Sequence, residues 1–375
     1  MKILILHASA GAGHQRAAEA IAKAFRSERP DADTLVSDVL DFTPALFRRT
    51  YGKGYLLLVR RAPELWGYMY ERSDRKALIP WRAKLREVFN QINAASFFGF
   101  YRGFAPDITV CTHFMPLEVL SSMSRRRHVP LNIHCCVTDF AVHSLWVSTG
   151  VRCYFVATEE ARRQLARRGQ PEADVVVAGI PIDPVFAERR EAAEARRALG
   201  LRADLPMVLA LSGGFGVGAT TEVIRAFTTY AGPACQVVAV AGANPKLRRR
   251  AEAAAGGAAV PVTVFGRVAN MHELLDAADL VITKPGGLST SECLAKGRPM
   301  LITDPIPGQE QRNCEYLLER GAARRLYDPV DAPVVVARLL DEPGRLDQMR
   351  ENVARIGKPH AARDIARHIL ARSAS

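Results

Sequence analysis

The sequence predicts an α/β protein made of two doubly wound, Rossmann-like domains. Twelve short apolar runs, many of them β-branched, alternate with helical stretches along the 375 residues. This alternation is typical of parallel sheets that are covered by helices on both faces. Twelve strands are too many for one comfortable sheet, and the chain is too long for one typical core. We therefore expect two units of about six strands each.

The predicted strands divide into two sets near residues 169–184, where Gly and Pro cluster between the patterns. In the N-terminal half they cover 2–8, 33–39, 107–113, 131–138, 152–158 and 174–179. In the C-terminal half they cover 206–212, 236–242, 262–266, 279–283, 299–303 and 323–327. We predict an N-terminal domain over 1–175, a C-terminal domain over 176–355 and a closing helix over 356–375.

Composition indicates a soluble globular protein, with 48% hydrophobic and 24% charged residues. No apolar run approaches the ~20 residues that a membrane span needs. The opening "MKILILHASAGAG" indicates a first strand rather than a signal peptide, because its apolar core is only "ILIL". The seven cysteines form no C-x-x-C pair, which favours a reducing cytoplasm over a disulfide framework or a zinc site.

The chain is strongly basic, with a net charge of +12, which suits nucleic acid, anionic lipid or a phosphorylated ligand. Segment 42–104 interleaves basic and aromatic residues, among them Trp66 and Trp81, and residues 48–102 contain twelve Lys/Arg against four Asp/Glu. Such a segment fits an interfacial membrane surface, single-stranded nucleic acid, or a helical insertion with a solvated basic face. Nothing in the sequence resembles a groove-reading or RNA-binding motif, so we expect no nucleic-acid partner.

The first strand runs into "GAGH", in which Gly11 and Gly13 make a tight turn and His14 lies where a helix begins. Ligands of doubly wound folds bind beyond the carboxyl ends of the strands, so His14 is a candidate general base. The alternative is a histidine that merely caps its helix. Asp31 and Asp33 have the spacing of a metal-binding D-x-D pair, but they precede a strand, and we assign them no metal role.

A second group of polar residues follows the fourth predicted strand, in "VTDFAVHSLW" (137–146). Asp139 and His143 could form a proton relay or bind the hydroxyls of an acceptor, and Trp146 lies three residues further on. The alternative is structural, with helix capping by the polar residues and His143 and Trp146 in the core.

The most specific pattern is a candidate site for a nucleotide-sugar donor in the C-terminal half. Its glycines let the backbone approach a diphosphate at a helix N-terminus. The carboxylate of Glu292 would repel a phosphate, but it can accept hydrogen bonds from the two hydroxyls of a ribose. The loop 268–271 can frame a base, and Gln309 and Glu310 can bond sugar hydroxyls. The candidate donor residues are Gly213, Gly214, Val268, Met271, Gly286, Gly287, Ser289, Thr290, Glu292, Gln309, Glu310 and Asn313.

Three motifs, "GAGH", "VTDF..H..W" and "KPGGLSTSECLAKGRPMLITDPIPGQEQRN", resemble the diacylglycerol sugar transferases of glycosyltransferase family 28. These include monogalactosyldiacylglycerol synthases and bacterial processive diacylglycerol glucosyltransferases. The resemblance covers roughly residues 1–25, 106–185 and 205–325. It implies a GT-B fold, in which two Rossmann-like domains face a central cleft and the closing helix can cross back to the N-terminal domain.

The resemblance also implies an inverting transfer of hexose from UDP-glucose or UDP-galactose to the hydroxyl of diacylglycerol, with no cofactor or metal. The expected product is a β-glycosyldiacylglycerol. The partners would be a UDP-hexose, diacylglycerol and an anionic membrane surface, with a cytoplasmic enzyme held peripherally at the inner face of the cell membrane. Alternatives are a GT-B transferase with another lipid-linked or soluble acceptor, and a UDP-sugar epimerase.

Carried over to this chain, the family pattern makes Glu292 the ribose-binding acid and Gln309 and Glu310 the pair that reads the donor sugar. One position departs from the pattern. Plant galactolipid synthases carry an Asp five residues before the histidine of the glycine loop, and here that position is Ser9. Either His14 is the base, or Asp139 or His143 contributes. The acceptor and membrane candidates are Gly11, Gly13, Trp66, Trp81 and Trp146.

Overall fold

A computed structural model describes residues 1–9, 11–46, 48, 54, 61–75, 94–127, 131–212 and 219–373. Three predicted site residues, Trp81, Gly213 and Gly214, lie outside the described residues. The chain forms two compact units: the first comprises Met1–Pro184, Ile306–Gln309 and His360–Ser375, and the second comprises Val185–Pro305 and Glu310–Pro359. The domain limits drawn from the sequence stay predictions.

The first unit contains a six-stranded parallel sheet with the order β2-β1-β3-β4-β5-β6. Its strands are β1 (Lys2–His7), β2 (Asp33–Asp38), β3 (Ile108–Cys111), β4 (Ile133–Cys136), β5 (Val151–Val156) and β6 (Val175–Val177). Every neighbouring pair is parallel, with Leu4, for example, level with Leu35 on one side and Thr109 on the other.

The second unit contains a parallel sheet of the same size, with the order β12-β11-β10-β7-β8-β9. Its strands are β7 (Met207–Leu211), β8 (Gln236–Val240), β9 (Val262–Phe265), β10 (Leu280–Thr283), β11 (Met300–Ile302) and β12 (Ala323–Arg325). All twelve strands predicted from the sequence are present, with ends that differ by no more than about two residues, the usual uncertainty of such boundaries. The predicted pair of doubly wound α/β units is confirmed.

The described helices of the first unit are α1 (Ala12–Glu28), α2 (Pro63–Arg75), α3 (Ala94–Phe104), α4 (Phe114–Arg127), α5 (Glu159–Ala166) and, from the C-terminal stretch, α14 (Ala361–Ser373). Those of the second unit are α6 (Ala192–Ala198), α7 (Thr220–Ala226), α8 (Pro245–Ala255), α9 (Met271–Ala277), α10 (Gly287–Ala295), α11 (Gln309–Glu319), α12 (Ala332–Asp341) and α13 (Arg345–Ile356). The first residue of α11, Gln309, is counted with the first unit. Within the described residues, no helix is long and apolar enough to cross a bilayer.

The β1 strand shows why the sequence has continuous apolar runs. Leu4 and Leu6 pack into one core cluster, and Ile3 and Ile5 pack into another, because successive side chains point to opposite faces of a strand. Since helices cover both faces, no position of the strand needs a polar side chain. The second cluster also contains Phe25 of α1 and residues of α14, so the C-terminal helix packs against the same unit as the first strand.

Candidate active site

The carboxyl ends of the central strands bring several polar side chains together in the first unit. His7 ends β1, Thr112 and His113 follow β3, and Thr138 follows β4. The glycine loop ends at Gly11, the N-cap of α1, so that His14 lies in the first turn of this helix. The structure therefore places His14 at the edge of the sheet where doubly wound folds bind ligands.

The hydrogen bonds of His14 define its tautomer. Nδ1 lies 2.9 Å from the carbonyl oxygen of Thr112 and 3.0 Å from the hydroxyl oxygen of Thr138. A carbonyl oxygen can only accept, so Nδ1 carries the proton and donates it. The Thr112 hydroxyl in turn donates to the carbonyl of His14 at 2.9 Å, which holds the helix start against β3. Nε2 is left as the unprotonated nitrogen, which is the state that a general base requires.

Burial lowers the pKa of His14 to about 4, although the side chain keeps some contact with solvent. The hydrogen bond to the Thr112 backbone acts in the opposite direction, and the charge of His7 lowers the pKa further. The imidazole is therefore neutral at physiological pH and can accept a proton. Its position at a helix N-terminus favours the same neutral state.

A second histidine, His113, flanks this base and was not among the candidates chosen from the sequence. Its ring meets that of His14 edge-on, with 4.5 Å between the centroids, and Trp146 lies 6.3 Å from His14. The backbone N–H of Met115 donates to Nδ1 of His113, so its proton is on Nε2. His113 could have been found from its position, because it is the last residue of the predicted strand 107–113, at the end where ligands of doubly wound folds bind.

His143 does not have the surroundings of a base. Its Nε2 donates to the carbonyl of Tyr70 at 3.0 Å, and its Nδ1 accepts from the backbone N–H of Leu145 at 3.1 Å. Nε2 thus joins the loop after β4 to α2, and Nδ1 caps the short helical turn Ser144–Trp146, as in the structural alternative. Asp139 is partly buried in the same loop, and its role stays a prediction.

The predicted acceptor residues of the first unit lie in different settings. Gly11 faces open space, since a Cβ atom there would have no neighbour within 4 Å. Gly13 lies in the first turn of α1 and is partly exposed. Trp146 is buried in the core near His14, whereas Trp66 is partly exposed on α2, with its ring 6.1 Å from that of Tyr70. Gly11, Gly13 and Trp146 therefore lie around the start of α1, and Trp66 belongs to a separate helix.

In the second unit, the loop after β10 leads through bare backbone into a helix. Gly286 is the N-cap of α10, and no side chain caps this end. The buried Asn313 of α11 donates its amide to the carbonyl of Pro285 at 3.0 Å. A Cβ atom on Gly286 would stand 3.8 Å from a carboxylate oxygen of Glu310, so this acid lies beside the glycine loop. The loop is held in place from α11 and presents helix N–H groups, which suit an anion.

The side chains of α10 divide between its two faces. Ser289 is partly exposed, whereas Thr290 is fully buried and Glu292 is only 4% exposed. Gly287 is partly exposed at the first position of the helix. Thr290 and Glu292 are thus both buried, and Ser289 is the partly exposed side chain of the three.

The remaining donor candidates lie at the ends of helices. Val268 is partly exposed in the loop between β9 and α9, and Met271 begins α9. Gln309 begins α11 and is partly exposed. In the part of the chain that the structure describes, no group of three or more His, Cys, Asp or Glu side chains could hold a metal ion. The assigned donor roles and the expected independence of metal both stay predictions.

Comparison with known protein families gives a match over the part of the chain that contains His14 and the residues around it. The family model described as monogalactosyldiacylglycerol (MGDG) synthase matches residues 14–182. A processive diacylglycerol beta-glucosyltransferase of Bacillus mycoides (strain KBAB4) is 30% identical over 383 residues, covering 99% of this chain and 93% of the relative. The enzyme of the same name from Bacillus cereus (strain AH187) is 29% identical over 380 residues, with the same coverage.

Solved structures resemble the whole chain in fold at low sequence identity. MurG of Acinetobacter baumannii superposes with a TM-score of 0.64 at 16% identity, covering 99% of each chain. UDP-GlcNAc 2-epimerase of Neisseria meningitidis, bound to UDP-GlcNAc, superposes with a TM-score of 0.63 at 14% identity, covering 99% of this chain and 100% of the other. At such identities the likeness shows the fold, and it does not distinguish a transferase from an epimerase.

Proposed function

Because this chain belongs to the diacylglycerol glycosyltransferase group of glycosyltransferase family 28, we propose that it transfers hexose from a UDP-sugar to the free hydroxyl of diacylglycerol. The observation that carries the proposal is the 30% identity to a processive diacylglycerol beta-glucosyltransferase. The similarity extends over 99% of the chain, so it includes both the surroundings of His14 and the glycine loop before α10. The epimerase alternative has only similarity of fold in its favour, at 14% identity.

In the proposed reaction, Nε2 of His14 is the general base. It takes the proton of the acceptor hydroxyl while the oxygen forms a bond to the anomeric carbon of the hexose. The bond from this carbon to the diphosphate oxygen breaks, and UDP leaves with the electron pair. Direct displacement inverts the anomeric centre and gives a β-glycoside. The bond from Nδ1 to Thr112 supports this role because it keeps the ring in the tautomer with a free Nε2.

The second unit would hold the donor. The N–H groups at the start of α10 would stabilise the negative charge that develops on the leaving diphosphate, in place of a divalent metal. Glu292 would accept hydrogen bonds from the ribose hydroxyls, and Glu310, beside Gly286, would bond the sugar together with Gln309. The N–H groups at the start of α10 are fixed hydrogen-bond donors, and such groups lower the activation barrier because they need no reorganisation during the reaction.

The described part of segment 42–104 supports peripheral binding at the inner face of the cell membrane. Leu46, Leu65 and Tyr68 are large apolar side chains that are 75%, 52% and 60% exposed. Arg72 lies over the ring of Tyr68, with 5.9 Å from the guanidinium carbon to the ring centroid. Exposed apolar side chains next to cations are typical of interfacial binding to anionic lipid.

A donor-by-acceptor assay tests the proposal. Purified protein is incubated in EDTA with UDP-glucose or UDP-galactose and with diacylglycerol in vesicles, and the products are identified by mass spectrometry and NMR. We expect a β-hexosyldiacylglycerol, formed faster when the vesicles contain anionic lipid. UDP-sugar turnover without an acceptor would instead indicate an epimerase. Binding of UDP-sugar with no lipid product would refute the assigned acceptor.

A further inference from the structure

A short segment of chain before α11 packs closely against α2. Residues Ile306–Gln309 are counted with the first unit, although the chain on either side of them is counted with the second. The segment ends at Gln309, the first residue of α11, which in the proposed function bonds the donor hexose. The contacts that hold this segment therefore bear on how the sugar is bound.

Gly308 lies directly against the ring of Tyr70. The φ angle of Gly308 is 96°, a conformation that residues with a side chain rarely adopt. A Cβ atom at this position would stand 2.7 Å from Cδ1 and 2.8 Å from Cγ of Tyr70, which is too close for real atoms. The aromatic ring thus occupies the space of the missing side chain and packs on the backbone that precedes Gln309.

Pro307, the preceding residue, makes an equally close approach to Gly67. A Cβ atom on Gly67 would stand 2.6 Å from the Cβ atom of Pro307. Gly67 is buried within α2, where a glycine is less favourable than an alanine, so the close approach accounts for its presence. Because Gly67 and Tyr70 are three residues apart, they lie on the same face of α2. Two successive residues of the segment are therefore held on one face of this helix.

Tyr70 is itself held in place from the loop after β4. It is only 8% exposed, and its ring centroid lies 4.3 Å from that of His143. Its carbonyl accepts from Nε2 of His143 at 3.0 Å and from the hydroxyl of Ser73 at 2.8 Å. The contact surface that Tyr70 offers to Gly308 is therefore fixed by residues of the first unit.

We infer that Tyr70 is a positioning residue for the donor hexose, and that it acts through Gly308 on Gln309. One peptide bond joins Gly308 to Gln309, so a shift of the glycine backbone moves the amide that is to bond the sugar. A displacement of about 1 Å is enough to impair a reaction strongly. This inference rests on the proposed function, because it takes the role of Gln309 from it.

The test is a double-mutant cycle of Tyr70→Ala and Gln309→Ala. The measured quantities are kcat/KM for the UDP-hexose at saturating diacylglycerol and the Kd for UDP, which has no hexose. The conservative variant Tyr70→Phe keeps the ring that contacts Gly308. A cycle of this kind shows whether two residues act through each other or independently.

We expect Tyr70→Ala and Gln309→Ala each to lower kcat/KM by about three- to tenfold, the effect of about one lost neutral hydrogen bond. The double variant should lose no more than Gln309→Ala alone, because Tyr70 has nothing further to position. Tyr70→Phe should retain kcat/KM within about twofold of the native value, since the loss of one neutral hydrogen bond is expected to exceed this. The Kd for UDP should be the same in all of these proteins.

Gly67→Ala tests the same contact from the other residue of α2. The added Cβ atom must displace Pro307, while alanine favours the helix itself, so a loss of kcat/KM would not come from a weaker helix. Gly256→Ala is the matched control. Gly256 has a helical backbone at the end of α8, and its Cβ atom would have no neighbour closer than 3.8 Å. Gly67→Ala should lower kcat/KM several fold, and Gly256→Ala should leave it unchanged.

The outcomes separate a failure of the inference from a failure of the proposed function. A further loss when Tyr70→Ala is added to Gln309→Ala would show a general disturbance of the first unit and would overturn the inference. Native kcat/KM in Tyr70→Ala and Gly67→Ala, with a clear loss in Gln309→Ala, would overturn it as well. Native kcat/KM in Gln309→Ala would show instead that the donor role assigned to Gln309 is wrong, and the inference would be wrong with it. Absence of any hexosyl transfer by the native protein would refute the proposed function.

Discussion

The carboxyl edges of the two sheets have the same backbone plan but carry different chemistry. In the first unit, the strand ends are followed by buried or partly buried rings, such as His14, His113 and Trp146. In the second unit, β10 is followed by the bare backbone of Gly286 and Gly287 with the acid Glu310 beside it. Of the nine histidines, eight belong to the first unit, the exception being His272.

This difference shows how one topology can serve two tasks. A proton acceptor must be neutral at physiological pH, and burying an imidazole among other side chains provides this by lowering its pKa. A diphosphate must be approached closely by N–H groups, which glycines at a helix start allow. The first edge is therefore suited to moving a proton, and the second to holding charge. Variants that affect one task and not the other test the division.

The largest effect is expected at His14. The His14→Ala variant should lower kcat by about 10²–10⁴-fold, the usual contribution of a general base, because the acceptor hydroxyl keeps its proton. The affinity for UDP should be unchanged, since we propose that UDP binds to residues of the second unit. The measurements are the initial rate with diacylglycerol and the Kd for UDP by calorimetry.

The matched control for this variant is His360→Ala, an exposed histidine of the same unit. Its kcat should equal that of the native enzyme. A His14→Ala enzyme with near-native kcat, or one whose main defect is weaker binding of UDP, would contradict the assignment of the base.

The next largest effect is expected at Glu292. The Glu292→Gln variant should weaken UDP binding by about tenfold or more, because hydrogen bonds to a charged group contribute about 1.5–3 kcal/mol. The comparison is sharper with 2′,3′-dideoxy-UDP, which lacks the ribose diol. This ligand should bind the native protein and the variant equally.

Glu319→Ala changes an exposed acid at the end of α11 and should leave UDP binding unaltered. If the native protein bound UDP and its dideoxy analogue equally well, the ribose role of Glu292 would be wrong. The loss in the variant would then have to come from the packing of α10.

The fold could be predicted almost completely from the sequence, and the site only in part. The strands are predictable because burial on both faces favours runs of apolar side chains, such as the four between Lys2 and His7 in β1. His14 was identified because it follows a glycine turn at the end of the first strand. The sequence does not show that His113 lies against His14 while His143 bonds to α2, because these contacts are made with residues distant in the chain. His143 bonds to Tyr70, which precedes it by 73 residues.

The tautomer of His14 illustrates the same limit. It depends on the carbonyl of Thr112, which is 98 residues away in the chain. No local pattern shows that this carbonyl faces the ring. Likewise, no local pattern shows that the side chains of Thr290 and Glu292 are buried, because this depends on what packs against α10.

Acid should destabilise the first unit more than the second. Burial lowers the pKa of His14 to about 4 and that of His134 to about 3, and it also lowers the pKa values of His7 and His113. Below about pH 6.5, the unfolded chain takes up protons that the folded unit does not. The free energy of unfolding therefore decreases as the pH is lowered, by at most about 1.4 kcal/mol per pH unit for each histidine.

Differential scanning calorimetry between pH 7 and 5.5 measures this effect above the range where most carboxylates titrate. The transition of the first unit should move to lower temperature more than that of the second unit, which contains a single histidine. The His14→Gln variant lacks one of the titrating rings, so its transition should depend less steeply on pH. Equal shifts of both transitions would show that the buried histidines are not the cause.

The smallest effect is expected at Asn313, whose amide holds the glycine loop through the carbonyl of Pro285 at 3.0 Å. The Asn313→Ala variant leaves a polar backbone atom without its partner, which should lower the free energy of unfolding by about 1–3 kcal/mol. A less rigid loop should weaken UDP binding by a few fold, with no change in the pH dependence that His14 produces. Gln311→Ala, an exposed position of α11, is the control. If Asn313→Ala lost stability but bound UDP as tightly as the control, the position of the glycine loop would not depend on this hydrogen bond. The loop would then be positioned by α10 alone.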